Sequence, residues 1–122
     1  MTAGLSVGWY VDRGIAVVEL AGEMDYSNSA QLSSVLTTVL ATGHRELVVD
    51  LTQLEFLDSS GLGALIAGWK GARARGGSLC LVCVRELVLR VLRVTGLTGV
   101  FEIHASREEC LSSLARHRPA AG

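Results

Sequence analysis

The chain has 122 residues, of which 49% are hydrophobic and 19% are charged, and its net charge is −1. This size and composition predict one folded domain over residues 1–122, with a single core, and exclude a disordered chain. A charge so close to zero gives no general attraction to nucleic acid or to anionic lipid. The apolar stretch at residues 57–69 contains Asp58 and is too short to span a membrane. No secretory signal is evident, so we predict a cytoplasmic protein.

The cysteines predict neither a metal site nor a redox pair. Their number is odd and no export signal accompanies them, so Cys80, Cys83 and Cys110 are expected to be free thiols. Cys80 and Cys83 have CxxC spacing, but they lie in the β-rich run Leu79–Val84, where residues three apart face opposite sides. The histidines are scattered without ligand spacing, and no phosphate-binding or dinucleotide-binding glycine pattern is complete. We therefore predict no metal and no cofactor.

The N-terminal part of the chain predicts a β-hairpin followed by an acidic loop. Two apolar, β-branched runs, Val7–Val11 and Ile15–Leu20, flank the turn-forming sequence Asp-Arg-Gly. The segment Ala21–Asp25 is expected to be a short loop that carries two acids, Glu23 and Asp25. Those acids have two interpretations, a solvated turn or part of a recognition surface.

The next segment predicts a strand–helix–strand unit. One apolar stripe with helical spacing predicts the first helix, which Ser27 or Asn28 can cap and which Thr42-Gly43 ends. The stripe consists of Leu32, Val35, Leu36, Val39 and Leu40. Glu46–Leu51 is predicted to be the central strand, and a helical crossover makes it parallel to the strand before it.

A second helix, from about residue 60 to residue 75, has a face of unusually small residues. We interpret this face as close packing within the domain, with contact to a partner as the alternative. It consists of Ser60, Ala64, Ala67, Gly68 and Gly71.

The remaining elements follow as strand, helix, strand and helix, and the last helix opens on the capping box Ser106–Glu109. The first three are predicted at Ser78–Val84, Arg85–Val94 and Val100–Ile103. Residues 116–122 are predicted to form a disordered tail.

Ser59 and Ser60 lie where the central strand passes into the second helix. Three interpretations apply: a helix cap, a hydrolase nucleophile or a regulatory phosphorylation site. A nucleophile elbow needs glycine two residues before the serine, and Leu57 and Asp58 occupy those positions. The hydrolase interpretation therefore fails, and the other two remain open.

The sequence Asp58-Ser59-Ser60-Gly61-Leu62-Gly63 resembles the signature of the STAS domain, as found in the bacterial anti-sigma factor antagonists. Flanking elements match in order, so the resemblance extends from about Gly8 to Leu114. It implies a single-domain α/β fold with an N-terminal β-hairpin. Its sheet is expected to be mixed but mostly parallel, with four or five strands and about four helices.

The resemblance also implies a regulatory protein that is not an enzyme. The unphosphorylated form would bind an anti-sigma factor that is itself a serine kinase, which frees a sigma factor. The kinase would inactivate the protein by phosphorylating Ser59, with Ser60 as second choice, and a serine phosphatase would restore it. We expect a monomer.

The expected partner surface consists of Glu23, Asp25, Asp58, Ser59, Ser60, Gly61 and Leu62. The alternative function is an accessory STAS subunit that braces the ATPase of a lipid-transport ABC system, without a phosphate cycle.

Overall fold

A five-stranded sheet with helices on both faces forms the fold. The structure is a computed structural model that describes residues 4–116. The strands lie in sequence order in the sheet, with β1 antiparallel to β2 and all later pairs parallel. They are β1 (Leu5–Asp12), β2 (Ile15–Met24), β3 (Glu46–Leu57), β4 (Ser78–Val82) and β5 (Glu102–His104). The helices are α1 (Ser29–Ala41), α2 (Ser59–Ala74), α3 (Glu86–Val94) and α4 (Arg107–Arg116), with a 3₁₀ turn at Leu97–Gly99. This architecture confirms the predicted fold class.

The N-terminal hairpin is confirmed, but its second strand is longer than predicted. Arg13 and Gly14 both have positive φ, 55° and 77°, which is the pattern of a two-residue type I′ turn. Strand β2 continues through Met24, so the predicted loop Ala21–Asp25 was wrong over most of its length. Two register shifts in the pairing with β3 let this segment continue as strand. At one of them Gly22 has φ 102°, and a Cβ there would lie 1.9 Å from the Gly4 carbonyl oxygen.

Strand β3 was also predicted too short. It was expected to end at Leu51 but runs to Leu57, so the junction before α2 shrinks to Asp58. Leu54 and Leu57 are buried on this extension, and its backbone pairs with the extended part of β2. The extended ends of β2 and β3 stabilise each other by pairing, and neither segment has a strong strand signal in its own sequence.

Both faces of the sheet are covered. The main core lies between the sheet and α1–α3, and a second, smaller core lies under α4. Successive residues of β2, such as Val17 and Val18, are fully buried in different cores. This explains why the central strands are apolar without alternation.

The cysteines correct one prediction and confirm another. Cys80 and Cys83 point into different cores, as strand alternation required. Cys80 is not a free thiol, however, because it forms a disulfide with Cys110 of α4, across a Cα–Cα distance of 6.0 Å. The partner lies 30 residues away, so CxxC spacing could not reveal it. Cys83 is free, and burial raises its pKa to about 11.

Helix α4 begins as predicted but ends later. The hydroxyl of Ser106 accepts a hydrogen bond from the backbone N–H of Glu109 at 3.2 Å, which confirms this half of the capping box. The Glu109 carboxylate accepts from the N–H of Ala105 instead of that of Ser106. Arg116 is the last residue of the helix and not the start of the tail. Residues 117–122, where the tail was predicted, lie outside the described residues.

The small face of α2 packs within the domain, against α1. A Cβ on Gly68 would lie 2.6 Å from Leu36 Cδ1, and one on Gly71 would lie 2.8 Å from Leu40 Cδ1. Gly63 differs, because nothing lies within 4 Å of its added Cβ. The interpretation as internal packing therefore holds at Gly68 and Gly71.

Replacing Gly68 with Ala is expected to lower the free energy of unfolding by about 1 kcal/mol. Overpacking a core costs roughly 1–3 kcal/mol, and the gain in helix propensity offsets about 1 kcal/mol of it. Leu36 is 2% exposed, so displacing its methyl group disturbs the packing between α1 and α2. Gly63→Ala is the matched control, and it should raise stability by up to about 1 kcal/mol. Urea unfolding measures both, and equal stabilisation by the two substitutions would show that α1 is not tightly packed at Gly68.

Candidate functional site

The candidate site lies where two parallel strands end side by side. Met24 at the end of β2 pairs with Leu57 at the end of β3. The backbone N–H of Asp58 then donates to the carbonyl oxygen of Met24 at 3.2 Å. Asp25 and Asp58, each the first residue beyond its strand, therefore emerge at the same edge of the sheet.

Asp58, and neither of the serines, caps helix α2. Its carboxylate oxygen Oδ1 accepts from the N–H groups of Ser60 at 2.9 Å and Gly61 at 3.3 Å. The same oxygen accepts from the Ser60 hydroxyl at 2.5 Å. The expected capping by Ser59 or Ser60 was therefore wrong, since the helix already begins at Ser59. An aspartate is an equally good cap and adds a negative charge at the positive end of the helix.

These bonds keep Asp58 ionised. The hydrogen bond from the Ser60 hydroxyl is the main cause that lowers the pKa of Asp58, and it outweighs the opposing effect of desolvation. Backbone N–H groups of Gly61, Ser60 and Tyr26 lower the pKa further. Asp58 is thus a fixed anion beside Ser59 at neutral pH.

The structure distinguishes the two serines, which the sequence could not do. The Ser60 hydroxyl is half-buried and donates to Asp58. The Ser59 side chain is exposed, and among residues 4–116 no hydrogen-bond partner holds its hydroxyl. No described residue is placed to take its proton as a general base, so the site lacks the arrangement of a serine hydrolase. It presents one unengaged hydroxyl at a helix N-terminus, where a phosphate group is well accommodated.

The loop after β2 is held next to this junction by its own hydrogen bonds. Asp25 Oδ1 accepts from the backbone N–H of Ser27 at 2.9 Å and from its hydroxyl at 2.6 Å. Asn28 was expected to cap α1, but its side chain makes no such bond. It accepts from the N–H of Asp25 and donates to the carbonyl of Glu23, each at 2.9 Å. Because this loop and the serine junction follow the paired strand ends Met24 and Leu57, they lie side by side at the edge of the sheet.

The predicted partner residues divide into exposed and buried sets. Gly61 and Leu62 are buried, and a Cβ on Gly61 would lie 2.9 Å from Met24 Cε, so both belong to the core of the isolated domain. Glu23 and Asp25 remain partly exposed. The structure adds two residues that the sequence reasoning missed, Tyr26 and Phe56, which are 85% and 48% exposed. In the sequence, the only signal for these two residues is that each aromatic side chain directly follows an acidic residue.

Comparison with known proteins places this arrangement in a family. Residues 9–110 match the family model of the STAS domain. The chain belongs to the STAS domain family. The anti-sigma F factor antagonist of Paenibacillus polymyxa is 30% identical to this STAS domain over 103 residues, which cover 84% of the chain and 88% of that protein.

Solved structures share the fold of this STAS domain. An anti-sigma factor antagonist from Mycobacterium paratuberculosis superposes with a TM-score of 0.86 at 25% identity, covering 94% of this chain and 99% of that one. The Bacillus cell fate determinant SpoIIAA in its phosphorylated form has the same fold, with a TM-score of 0.68 at 22% identity. The superposition covers 90% of this chain and 98% of that one. Within residues 4–116 of the STAS domain, no helix is long and apolar enough to cross a membrane.

Proposed function

We propose that this STAS domain is an anti-sigma factor antagonist that phosphorylation of Ser59 switches off. In the unphosphorylated state it binds an anti-sigma factor with serine kinase activity and thereby frees a sigma factor. The observation that carries the proposal is the Ser59 hydroxyl, exposed at the first position of α2 while its neighbour Ser60 is bound to Asp58. The name of the Paenibacillus relative supports the same class of function.

A phosphate on Ser59 is compatible with the folded domain. It would add about −1.5 to −2 charges and three acceptor oxygens. The helix dipole favours such a charge, and because Asp58 already accepts from the N–H groups of Ser60 and Gly61, the phosphate oxygens would stay in solvent. Ser59 donates to no described residue, so its modification breaks no bond of the fold. The phosphorylated protein should stay folded, which a reversible switch requires.

The same phosphate would make the surface unsuitable for the partner. Asp58 already carries a negative charge, and Asp25 lies on the neighbouring loop. Glu23 adds a third partly exposed acid on the preceding strand. Burying an unpaired phosphate dianion among these acids in a complex would cost several kcal/mol. The exposed aromatic side chains of Tyr26 and Phe56 would supply apolar contact in the unmodified state. A serine phosphatase that acts on phospho-Ser59 would complete the cycle.

The test is a phosphorylation assay with the anti-sigma factor serine kinase that this proposal predicts as the partner. The purified protein is incubated with that kinase and ATP, and mass spectrometry locates the phosphate. We expect modification on Ser59, none on Ser59→Ala, and full modification of Ser59 in the Ser60→Ala variant. Phosphate on Ser60 in the unsubstituted protein, or none with an active kinase, would overturn the proposal.

A further inference from the structure

A cluster of metal-ligating side chains lies far from the serine junction, under α4 at the outer edge of the sheet. Glu102 and His104 are alternate residues of the edge strand β5, so they point to the same face. Cys80 of the neighbouring strand β4 is directly opposite Glu102, and Cys110 of α4 reaches its sulfur. One ligand atom each from Cys80, Glu102 and His104 lies within 4.8 Å of the others.

We infer that the reduced protein binds a zinc ion through Cys80, Cys110, His104 and Glu102. Two thiolates with one imidazole and one carboxylate make a tetrahedral set of the kind that zinc prefers. Ligand atoms in such a site lie roughly 3.3–3.8 Å apart, as follows from zinc–ligand distances of about 2.0–2.3 Å. The ligand atoms of Cys80, Glu102 and His104 lie no more than 4.8 Å apart, and Cys110 joins them through its contact with the Cys80 sulfur, so side-chain rotations would have to bring Cys110 onto the same ion. Zinc binding and the disulfide exclude each other, since both use the same two sulfurs.

The residues around these ligands already orient them as a metal site requires. His104 Nε2 lies 3.1 Å from Glu102 Oε1, and a metal ion would replace the proton that these atoms share. The other ring nitrogen, Nδ1, lies 3.6 Å from Glu109 Oε2, so a small rotation of the imidazole would be needed before it could donate a hydrogen bond there. The Ser113 hydroxyl donates to Glu102 and fixes that carboxylate. Such partners of the ligands are a regular feature of zinc sites.

The cluster is open to solvent on one side and closed on the other. Cys80 and Cys110 are fully buried. His104 and Glu102 have side chains that are 26% and 39% exposed, because β5 is the last strand of the sheet. An ion can thus enter past the imidazole and the carboxylate and reach sulfurs that water does not. Cys110 Sγ lies 3.4 Å from the Leu81 carbonyl oxygen, a position that accepts the S–H of the reduced thiol.

Reduction of the disulfide and binding of the zinc ion require no group of the protein other than the four ligands. A phosphine reductant converts the disulfide into two thiols, taking its oxygen and the two protons from one water molecule. Binding of Zn²⁺ then releases those two protons and forms two zinc–sulfur bonds. With both thiolates and Glu102 ionised and His104 neutral, the filled site carries one net negative charge.

The test uses the full chain, reduced with a phosphine, and cobalt(II) as a spectroscopic stand-in for zinc. We expect one cobalt ion per chain, with a sulfur-to-cobalt charge-transfer band that zinc abolishes. The band should be lost in Cys110→Ser and in the oxidised wild-type protein. His104→Ala and Ser113→Ala should weaken binding by roughly 10–100-fold. Circular dichroism confirms that each variant is folded.

Two variants serve as matched controls. Cys83→Ser removes the free cysteine of the other core, and His44→Ala removes a histidine near the hairpin. Both should bind cobalt as the wild type does. The inference is wrong if folded, reduced protein gives no charge-transfer band, or if the band survives in Cys110→Ser. It is also wrong if Cys83→Ser or His44→Ala weakens binding as much as His104→Ala does.

Discussion

Replacing Ser59 with Asp is expected to weaken binding to the anti-sigma factor kinase by about a hundredfold, which corresponds to ~3 kcal/mol. The substitution places a carboxylate beside the ionised Asp58, on a surface that the complex would desolvate. Ser59→Ala should bind as tightly as the unmodified protein and should resist inactivation by kinase and ATP. Neither change touches a bond of the fold, so both variants should unfold at about the wild-type temperature.

Isothermal titration calorimetry with the kinase measures these affinities. Ser34→Asp is the matched control, because Ser34 is an exposed serine on α1 and the change adds the same charge. It should leave the affinity unchanged, which separates a local effect from a general effect of net charge. If Ser59→Asp and Ser59→Ala bind the cognate kinase equally well, the charge on this residue does not control the complex.

Replacing Arg107 with Met is expected to lower the free energy of unfolding by roughly 2 kcal/mol. Arg107 begins α4, and its guanidinium joins three strands. It donates to Tyr10 Oη on β1 and Asp50 Oδ2 on β3, each at 2.5 Å, and to the Glu19 carboxylate on β2. Asp50 is only 6% exposed, so loss of the arginine leaves a buried anion with Thr52 as its remaining partner.

A second arginine provides the matched control. Arg13 makes two hydrogen bonds to Glu108, at 2.9 and 2.7 Å, but its side chain is 54% exposed and that of Glu108 is 65% exposed. Exposed ion pairs contribute about 0–1 kcal/mol. Arg13→Met should therefore cost much less stability than Arg107→Met in urea unfolding at pH 7. Equal losses would show that burial of Asp50 is not what makes the Arg107 contacts important.

The loss of unfolding free energy caused by Arg107→Met should also depend on pH. Burial by itself raises the pKa of Asp50, but the hydrogen bonds from Thr52 and Arg107 outweigh it and hold the pKa below its usual value. A carboxylate with a lowered pKa stabilises the fold above its unfolded-state pKa of about 3.9, and that stability is lost as the pH falls through the folded-state value. The difference between wild type and Arg107→Met should be full at pH 7 and shrink below about pH 4. A difference that stays constant down to acid unfolding would contradict this account of Asp50.

Short-range signals predicted most of the fold. The Asp-Arg-Gly turn, the apolar stripe of α1 and the Ser106 cap each depend on residues within a few positions of one another. The apolar runs of β3 and β4 predicted buried strands, and the order of elements then required parallel pairing. The serine motif predicted where the candidate site lies, because it stands at the junction of a strand and a helix.

The largest error arose where a segment's strand partner lies far away in sequence, and a smaller one arose from a competing local turn. Half of residues 52–57 are polar, which weakens the strand signal, and they form a strand because the end of β2 pairs with them. Asn28 has a capping residue's chemistry, yet its side chain binds Glu23 and Asp25 instead. In the strand, tertiary pairing outweighed a weak local preference. At Asn28, a competing local turn three to five residues away took the side chain from the cap.

The sequence by itself determined the family, the order of strands and helices, and the pair of serines at the end of β3. Only the tertiary structure decided that Asp58 caps α2 and engages Ser60, which leaves Ser59 exposed, because the pairing of Leu57 with Met24 sets where the strand ends and the helix begins. It also decided that Cys80 meets Cys110 and that Arg107 meets Asp50, across 30 and 57 positions of the chain. The physical reason is that propensity and hydrophobic period act over a few residues. Hydrogen bonds, ion pairs and sulfur contacts depend on which side chains the completed sheet brings within 3–4 Å.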